Sequence, residues 1–432
     1  LSYANIQTNN YGVTLSNSHN NKLSNVMTRY NYVDGISLTN SSNNNLEFIT
    51  ATLNSNKGIK MESSSFNELN FVQTIESNSY GIDILSSSFN NFSNVLTDSN
   101  ALGLVLSGAS NNFFQNISAN FSIFGGFSLD FNSSNNLFSN FVVANSILGM
   151  QITEGSSNVF VNGEFNRTES AIYLGSGILE ENIFNNISIS ETQTGGFGDI
   201  SFNSADVNGT QFIDMHNVEN YFFSGGTISV KNSEFGEIKF LESVSGSGTN
   251  FSNDIQIGKN SMTVKSENNI GFNKSANVTF FNRPSGFINQ SILHNGNLCN
   301  QLTIPACNNF TSLQNETVVF RVNSWSNYTF LQGIDVQFPS VIQYSPQDIS
   351  SSGATIDFDI SDNGEIANCS VLIAGNHYLN TSSILPTNNE IIISGLSPST
   401  AYTSQVFCTD LGNNINNSAV LNWNTLASGG SP

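Results

Sequence analysis

The N-terminal part of the chain repeats with a period of 22 to 23 residues. Each repeat contains a short segment of alternating apolar residues, such as Gly35-Ile36-Ser37-Leu38 and Gly58-Ile59-Lys60-Met61. Eight such segments follow one another; the first seven begin at glycine, from Gly12 to Gly149, and the eighth begins at Ala171. Regular periods of this length are typical of solenoid folds. The repeat therefore constrains the architecture more strongly than any single motif in the chain.

The alternation of apolar residues within each repeat predicts β-strands, because side chains two residues apart lie on the same face of a strand. The intervening residues are mostly Ser, Thr, Asn and Gly, which favour turns and disfavour helices. The Leu-x-x-Leu-x-Leu frame of leucine-rich repeats and the 3.6-residue period of helical repeats are both missing. We therefore predict a parallel β-helix in which each repeat forms one coil of about three short strands.

Two further columns run in phase with the glycines. An asparagine column predicts a buried ladder of amide side chains that bond from coil to coil; its members are Asn21, Asn44, Asn67, Asn90, Asn112, Asn135, Asn158 and Asn182. A ligand-binding role for these asparagines is the alternative. An apolar column that follows predicts the core; its members are Leu23, Leu46, Leu69, Phe92, Phe114, Leu137, Phe160 and Phe184. The glycine column indicates a backbone position with little room for a Cβ atom or with a positive φ.

The recurrent phrase Ser-Ser-x-Asn-x-Leu followed by Gly-Ile-x-Leu resembles the right-handed β-helix repeat family. Examples are Ser41-Ser42-Asn43-Asn44-Asn45-Leu46 and Gly58-Ile59-Lys60-Met61. This family includes pectate lyases, polygalacturonases and periplasmic NosD-type repeat proteins. The resemblance covers residues 1 to about 190 and implies a right-handed coil. From about 190 to 290 the register loosens, and we expect irregular coils with extruded loops at Gly195-Gly196-Phe197-Gly198 and Ser245-Gly246-Ser247-Gly248.

The repeats stop near residue 290, which predicts three further segments. Residues 291–338 contain β-like runs and are expected to form a small β unit that caps the helix, since a terminal coil exposes an unpaired sheet edge. Residues 339–426 have the length and pattern of a β-sandwich. Residues 427–432 are expected to form a tail or linker. The β-helix itself is assigned to residues 1–290, so the predicted fold class is all-β.

A motif in the predicted sandwich, Gly395-Leu396-Ser397-Pro398-Ser399-Thr400-Ala401-Tyr402, resembles the Leu-x-Pro-x-Thr-x-Tyr signature of fibronectin type III domains. The resemblance implies that Tyr402 forms a tyrosine corner. Two features depart from that family: Ile356 or Phe358 replaces the early-strand tryptophan, and a cysteine pair is present. A generic immunoglobulin-like sandwich is the alternative.

The four cysteines predict the disulfides Cys299–Cys307 and Cys369–Cys408 and an oxidising compartment. A zinc site is the alternative, but no Cys-x-x-Cys spacing occurs. Acceptor sequons for N-glycosylation are abundant; they lie at Asn40, Asn91, Asn116, Asn120, Asn132, Asn166, Asn186, Asn208, Asn250, Asn273, Asn277, Asn289, Asn309, Asn315, Asn327, Asn368, Asn380 and Asn416. Together these features predict a secreted glycoprotein with covalent N-glycans.

The formal net charge of the 432-residue chain is −20, which argues against nucleic acid and anionic membranes as partners. No apolar run has transmembrane length. The chain starts at Leu1 without a methionine, so we expect it to be a processed product or a part of a longer protein.

Known catalytic motifs of β-helix enzymes are missing from the chain: it contains no Asp-Asp, no Gly-His-Gly and no Asp-Pro-His-Asp. Asp34, Asp83, Asp98 and Asp130 fall at different phases of the repeat and therefore predict no catalytic column. We expect no catalytic residue, no enzyme activity, no cofactor and no metal. Calcium bound within Asp357–Glu365 is the alternative to a plain strand followed by a turn at Asn363-Gly364.

The combined pattern predicts an extracellular, cell-surface structural protein. Its architecture resembles that of predicted secreted β-helix proteins of archaea. We expect it to self-assemble into a filament or surface layer, without a membrane span. The alternatives are an adhesin that binds cell-surface polysaccharide and, less favoured, a polysaccharide lyase or hydrolase. Exposed aromatic side chains aligned on adjacent coils would support the carbohydrate-binding alternative.

Overall fold

The computed structural model describes residues 1–175, 177–192, 198–204, 206–284 and 286–429. It confirms the predicted all-β class: a right-handed parallel β-solenoid of about nine coils is followed by antiparallel sheets. The helices in these residues are two short ones, the α-helix Phe251–Asp254 and the 3-10 helix Ile270–Phe272. None of the helices described is long and apolar enough to span a membrane.

Two sheets form the sides of the solenoid. We call the 15-stranded one the wide sheet; in spatial order its strands are Ser2–Gln7, Lys22–Arg29, Asn45–Thr52, Glu68–Ile75, Asn91–Asp98, Phe113–Asn120, Leu137–Ala144, Val159–Asn166, Ile183–Ser190, Thr210–Ile213, Ile228–Asn232, Gly236–Phe240, Ala276–Phe280, Val318–Val322 and Cys307–Asn309. We call the 11-stranded one the narrow sheet; its strands are Val13–Ser16, Ile36–Thr39, Ile59–Glu62, Tyr80–Leu85, Leu102–Ser107, Gly125–Asp130, Leu148–Ile152, Ser170–Leu174, Ile200–Phe202, Tyr221–Phe223 and Gly246–Gly248.

Most coils have two strands, whereas the repeat predicted about three. A third strand is present only where Leu179–Glu180 pairs with Val207–Asn208, among the residues that the structure describes. Elsewhere the third side of the coil is a turn. Amide side chains hold this turn, because they bond to the backbone of the neighbouring coil where a strand ladder would otherwise do so.

The core is a set of stacked columns. Leu46 pairs in register with Leu69, and Leu69 with Phe92, and all three side chains are fully buried. The column continues through Phe114 to Phe138, whose rings stack with centroids 4.5 Å apart. The predicted member Leu137 is wrong by one residue, since it is only half-buried while Phe138 is fully buried.

The amide ladder runs along the turn, and each member bonds to the next coil. The side chain of Asn67, for example, donates to Asn90 Oδ1 at 3.1 Å and to the Ser41 carbonyl at 3.1 Å. One predicted member is wrong: the ladder uses Asn136, which accepts from the Asn112 backbone N–H at 2.9 Å, and not Asn135. The step from Asn112 to Asn136 is 24 residues, one more than the step of 23 from Asn67 to Asn90. Because Asn135 and Asn136 are adjacent, spacing alone could not show which of them belongs to the ladder.

The glycine column reflects close approach of the backbone and not a special conformation. A Cβ atom on Gly58 would lie 2.6 Å from the Gly81 carbonyl oxygen and 2.7 Å from the Thr74 side chain. Gly58 is not among the residues with positive φ. The missing side chain therefore lets the corner of the coil pack against its neighbour.

Parallel pairing in the wide sheet ends at the strand Ile228–Asn232. The strands Gly236–Phe240 and Ala276–Phe280 pair antiparallel, and so does Gly246–Gly248, which belongs to the narrow sheet instead of an extruded loop. The other predicted loop includes residues 195–197, which lie outside the described residues. Two further antiparallel sheets follow in spatial order: Ile255–Ile257, Ser261–Val264, Asn327–Leu331, Ser291–His294 and Asn297–Cys299; and Phe287–Ile288 with Ile334–Asp335.

The chain divides into two compact units. The first comprises residues 1–280, 294–308 and 319–329 and contains the solenoid; the second comprises residues 281–293, 309–318 and 330–432. The four predicted domain boundaries stay predictions.

The second unit contains a sandwich of antiparallel sheets. One sheet has the strands Ser340–Gln343, Gly353–Ser361 and Asn389–Ser394, and the other has Asn376–Leu379, Ile366–Ile373, Ala401–Asp410, Ile415–Asn417 and Leu421–Asn424. The residues between Ser361 and Ile366 connect the two sheets, so the turn expected at Asn363-Gly364 does not close a hairpin. The hydroxyl of Tyr402 accepts from the Ser397 backbone N–H at 2.9 Å, the contact that a tyrosine corner would make.

Candidate functional site

A left-handed corner interrupts each regular strand of the wide sheet. One residue per coil falls between the register pairs, points outward and has φ between 52 and 55°. Six coils place asparagine there, two place phenylalanine and the first places tyrosine; in chain order the residues are Tyr3, Asn25, Phe48, Phe71, Asn94, Asn116, Asn140, Asn162 and Asn186. Asparagine enters this conformation readily, whereas other L-residues pay about 1–2 kcal/mol. The three aromatic residues are thus the costly members of the column, and Phe48 and Phe71 are the two on adjacent coils.

Phe48 and Phe71 form an exposed aromatic stack on adjacent coils. Their ring centroids lie 5.0 Å apart with an angle of 5° between the planes. Their side chains are 47% and 46% exposed, so about half of each ring remains open to a ligand. Each ring covers part of the other, which explains why Phe48 and Phe71 stack. It does not explain why both residues adopt a left-handed backbone conformation that is unfavourable for phenylalanine.

A groove of about 540 Å³ surrounds this stack. It contains no charged side chain; besides the two rings it is lined by Asn25, Val26, Met27, Thr50, Gln73, Asn94, Val95 and Leu96. We call it the aromatic groove. Amide and hydroxyl groups beside flat rings suit a ligand that has both apolar faces and hydroxyl groups.

Most asparagines of the later coils bond to a neighbour in the same column. Asn116 donates to Asn94 at 3.1 Å, Asn162 to Asn140 at 3.3 Å and Asn186 to Asn162 at 2.8 Å. The outer amide row is therefore held in part by its own members. Phe48 and Phe71 interrupt it, which supports a separate role for the groove.

A second aromatic stack occupies a different corner of the coil. Phe66 and Phe89 are 58% and 54% exposed, and their centroids lie 5.1 Å apart. Their φ angles of 57° and 58° are also left-handed. This pair does not line the aromatic groove. It therefore provides a matched comparison for the first stack.

The narrow sheet carries a charged cluster that the sequence did not predict. Lys57 forms a largely buried ion pair with Asp83, and Lys60 bonds Glu62 at 2.7 Å. Asp34 is 3% exposed and accepts from the Lys57 backbone N–H at 3.2 Å. Burial raises the pKa of Asp34, and the charge of Lys57 offsets this only in part. Asp34 and Asp83 thus share one cluster although they stand at different phases of the repeat.

Asp130 lies farther along the same face. Burial raises its pKa, a hydrogen bond from Ser107 lowers it, and the charges of Asp83 and Glu154 raise it. Its Oδ1 atom is inaccessible to solvent and has no hydrogen-bond partner among the described residues. The narrow sheet therefore presents one aspartate in an ion pair and another whose pKa is raised by burial.

A third group of acids lies in the second unit, where Asp335, Asp362 and Asp410 each place a carboxylate oxygen within 4.8 Å of the others. The chain contributes them from three separate segments, so no local motif could have predicted the cluster. Of the run Asp357–Glu365 that the sequence offered for calcium, only Asp362 takes part.

Most of the predicted modification sites are accessible. All 18 sequon asparagines are exposed or half-buried as residues, but the Nδ2 atom of Asn380, which would carry the glycan, is inaccessible to solvent. The inner ladder asparagines from Asn44 onward are buried. Occupancy of the sequons stays a prediction. Both predicted disulfides are present, Cys299–Cys307 and Cys369–Cys408, and no free cysteine remains.

Comparison with known proteins found no matching family model and no matching curated protein. Membership of the NosD-type family, an archaeal source and the fibronectin type III assignment therefore stay predictions.

Several solved structures are similar in fold. The catalytic domain of a GH87 α-1,3-glucanase is 14% identical with a TM-score of 0.38, over 49% of this chain and 53% of that one, so the chain spans about half of that structure. The periplasmic alginate epimerase AlgG is 10% identical with a TM-score of 0.27, over 54% and 77%. The tailspike protein of E. coli bacteriophage HK620, solved with a pentasaccharide, is 8% identical with a TM-score of 0.37, over 74% and 69%.

These findings overturn two expectations. The similar structures are of proteins that act on or bind glycans, so the predicted filament or surface-layer subunit is wrong, and so is the prediction that the chain is not an enzyme. At these TM-scores no residue role is carried over to this chain. The function has to be argued from the chain's own side chains, and its own geometry favours the carbohydrate-binding alternative.

Proposed function

We propose that this protein is a secreted glycan-binding protein and that the aromatic groove of its wide sheet is the binding site. The observation that carries the proposal is the stack of Phe48 on Phe71. The two stacked rings occupy a left-handed corner that six other coils fill with asparagine and the first coil fills with Tyr3. Strained positions that persist are a reason to look for function, because neutral substitutions would relieve them.

The groove suits a sugar chain chemically. A sugar ring has an apolar face of C–H groups that packs on an aromatic ring, and a rim of hydroxyls that bonds to amides. The amides of Asn25, Gln73 and Asn94 lie beside the rings. The site therefore offers both kinds of contact that a hexose needs.

The charge distribution favours a neutral glycan over an acidic one. No lining residue of the groove is charged, and the whole chain has a formal net charge of −20. A polyuronate would meet repulsion without a compensating cation. We therefore expect neutral hexose chains to bind more tightly than uronate chains of equal length.

The test is a glycan array followed by calorimetry with neutral and acidic oligosaccharides. The double substitution Phe48→Asn with Phe71→Asn installs the residue that other coils carry, and we expect it to reduce affinity at least tenfold. Phe66→Asn with Phe89→Asn is the matched control and should leave affinity unchanged. Equal affinity of the groove variant and the native protein would refute the site.

A second candidate function is cleavage of a glycan on the narrow sheet, favoured by the unequal environments of Asp83 and Asp130. Asp83 is held in an ion pair, whereas Asp130 Oδ1 is buried without a partner among the described residues. Two carboxylates in such different environments can act as base and acid. The register places them two coils and two residues apart, so their Cα atoms are separated by about 12 Å. Release of reducing ends by the native protein but not by Asp130→Asn would support cleavage; no release from any neutral glycan would reject it.

The secreted location is supported by the two disulfides, which persist in oxidising compartments. The accessible sequons support N-glycans as covalent partners, and mass spectrometry of the native protein before and after glycan removal would identify the occupied ones.

A further inference from the structure

Three aspartates meet at one end of the sandwich in the second unit. Asp335 ends the strand Ile334–Asp335, Asp362 follows the strand Gly353–Ser361, and Asp410 ends the strand Ala401–Asp410. Asp335 is 7% exposed and Asp410 is 1% exposed. Burial of this many carboxylates in one place is expensive unless a cation or hydrogen bonds compensate the charge.

Hydrogen bonds compensate only part of this charge. Asp410 is satisfied, because Oδ1 accepts from the Asn414 backbone N–H at 2.8 Å and Oδ2 from its side chain at 2.9 Å. Asp335 accepts through Oδ1 from the Gln337 backbone N–H at 2.9 Å and from the Asn363 side chain at 3.1 Å. These donors stabilise the charged form and hold the carboxylates in place.

Two carboxylate oxygens are left over. Oδ2 of Asp335, on a side chain that is more than nine-tenths buried, accepts no hydrogen bond in the described part of the chain. Oδ1 of Asp362 is inaccessible to solvent and likewise has no partner there. Gly364 leaves space beside them, since a Cβ atom on it would lie 2.9 Å from Asp335 Oδ2. A buried acceptor without a partner, as Asp362 Oδ1 is, points to a missing positive ligand.

The ion pairs of Lys22, Lys57, Lys60 and Arg167 lie in the solenoid and do not involve these aspartates. The three carboxylates each place an oxygen within 4.8 Å of the others, so a bound cation would relieve their mutual repulsion.

We propose that Asp335, Asp362 and Asp410 bind a calcium ion. The donor set consists of carboxylate oxygens, which hard cations prefer, and it lacks the Cys or His ligands that zinc selects. Three separate chain segments form a site that tolerates varied ligand distances, and calcium accepts this more readily than magnesium does. The ion would tie the strand Ile334–Asp335 to the ends of two strands of the sandwich.

The experiment uses the whole 432-residue chain, freed of metal with a chelator. Calorimetric titration with CaCl2 should show one binding site, and thermal unfolding should show a higher Tm in CaCl2 than in EGTA. MgCl2 at the same concentration should give a clearly smaller shift. Asp362→Asn should weaken calcium affinity at least tenfold, while Asp357→Asn, which makes the same charge change within the strand that Asp362 follows, should not.

A purely structural role for Asp362 predicts a different result, which keeps the test decisive. Because Asp362→Asn removes repulsion from the empty site, we expect this variant to unfold at a higher temperature than the native protein in EGTA and at a lower one in CaCl2. No calcium binding at millimolar concentration, or an equal response to magnesium, would overturn the proposal. A variant less stable than the native protein in both buffers would overturn it as well.

Discussion

Substitution of Asn136 by alanine tests the amide ladder at the position where spacing and structure disagree. Asn136 is 1% exposed. Its Oδ1 accepts from the Asn112 backbone N–H at 2.9 Å, and its side chain donates to the Ala109 carbonyl at 2.9 Å. Alanine would leave these two buried groups without the partner they have now. At about 1–3 kcal/mol for each orphaned group, the free energy of unfolding should fall by about 4 kcal/mol.

Asn135→Ala is the matched control, one residue away on the same turn. Asn135 is exposed and has a φ of 56°, a conformation that asparagine adopts more readily than alanine does. Asn135→Ala should therefore lower the free energy of unfolding by only about 1 kcal/mol. Urea unfolding should rank the two variants, and hydrogen exchange should show a loss of protection at the Asn112 amide in Asn136→Ala alone. An Asn135 variant as unstable as the Asn136 variant would refute the assignment of the ladder.

Three further perturbations follow from the structure. Replacing Phe48 and Phe71 together by asparagine should change the free energy of unfolding little, because the relief of about 2–4 kcal/mol of left-handed strain offsets about 3 kcal/mol of lost stacking and half-burial. Replacing both by alanine keeps the strain and should lower the free energy of unfolding, measured in urea, by about 3 kcal/mol. Equal stability of the two variants would contradict the strain argument. Burial raises the pKa of Asp34 in the folded state, so above that pKa the ionisation of Asp34 costs folding free energy. This cost disappears as pH falls toward the pKa of Asp34 in the unfolded chain. Asp34→Asn should therefore stabilise the protein more at pH 7 than at pH 4, and a change in stability that is independent of pH would refute this. Removing the Cys369–Cys408 disulfide, which closes a loop with a sequence separation of 39, should cost about 4 kcal/mol in the second unit, measured by chemical unfolding of the double alanine variant; a loss well below 1 kcal/mol would contradict it.

Much of the solenoid could be predicted because a repeat fold is encoded locally. The Gly-Ile-x-Leu segments and the asparagine column specify strand, turn and core in every coil, and stacking then places equal positions side by side. Errors occurred where the repeat length changes: the longer coil shifts the ladder to Asn136 and the core to Phe138. The disulfide partners could also be predicted, because four cysteines in two separate regions leave few sensible pairings.

The functional positions depended on information that the repeat does not contain. The period alone puts Phe48 and Phe71 in one column, but the backbone conformation at that corner decides that both rings point outward. Asp34 and Asp83 stand at different phases and still share a cluster, because Lys57 on the coil between them reaches both.

The chain by itself therefore determined the architecture, since period, turn residues and apolar alternation act within one coil and its neighbours. Only the tertiary structure decided which side chains converge. Asp335, Asp362 and Asp410 come from three segments without any common period, and the packing of the sandwich ends brings their oxygens within 4.8 Å. Such convergence depends on long-range packing, which no local pattern in the sequence records.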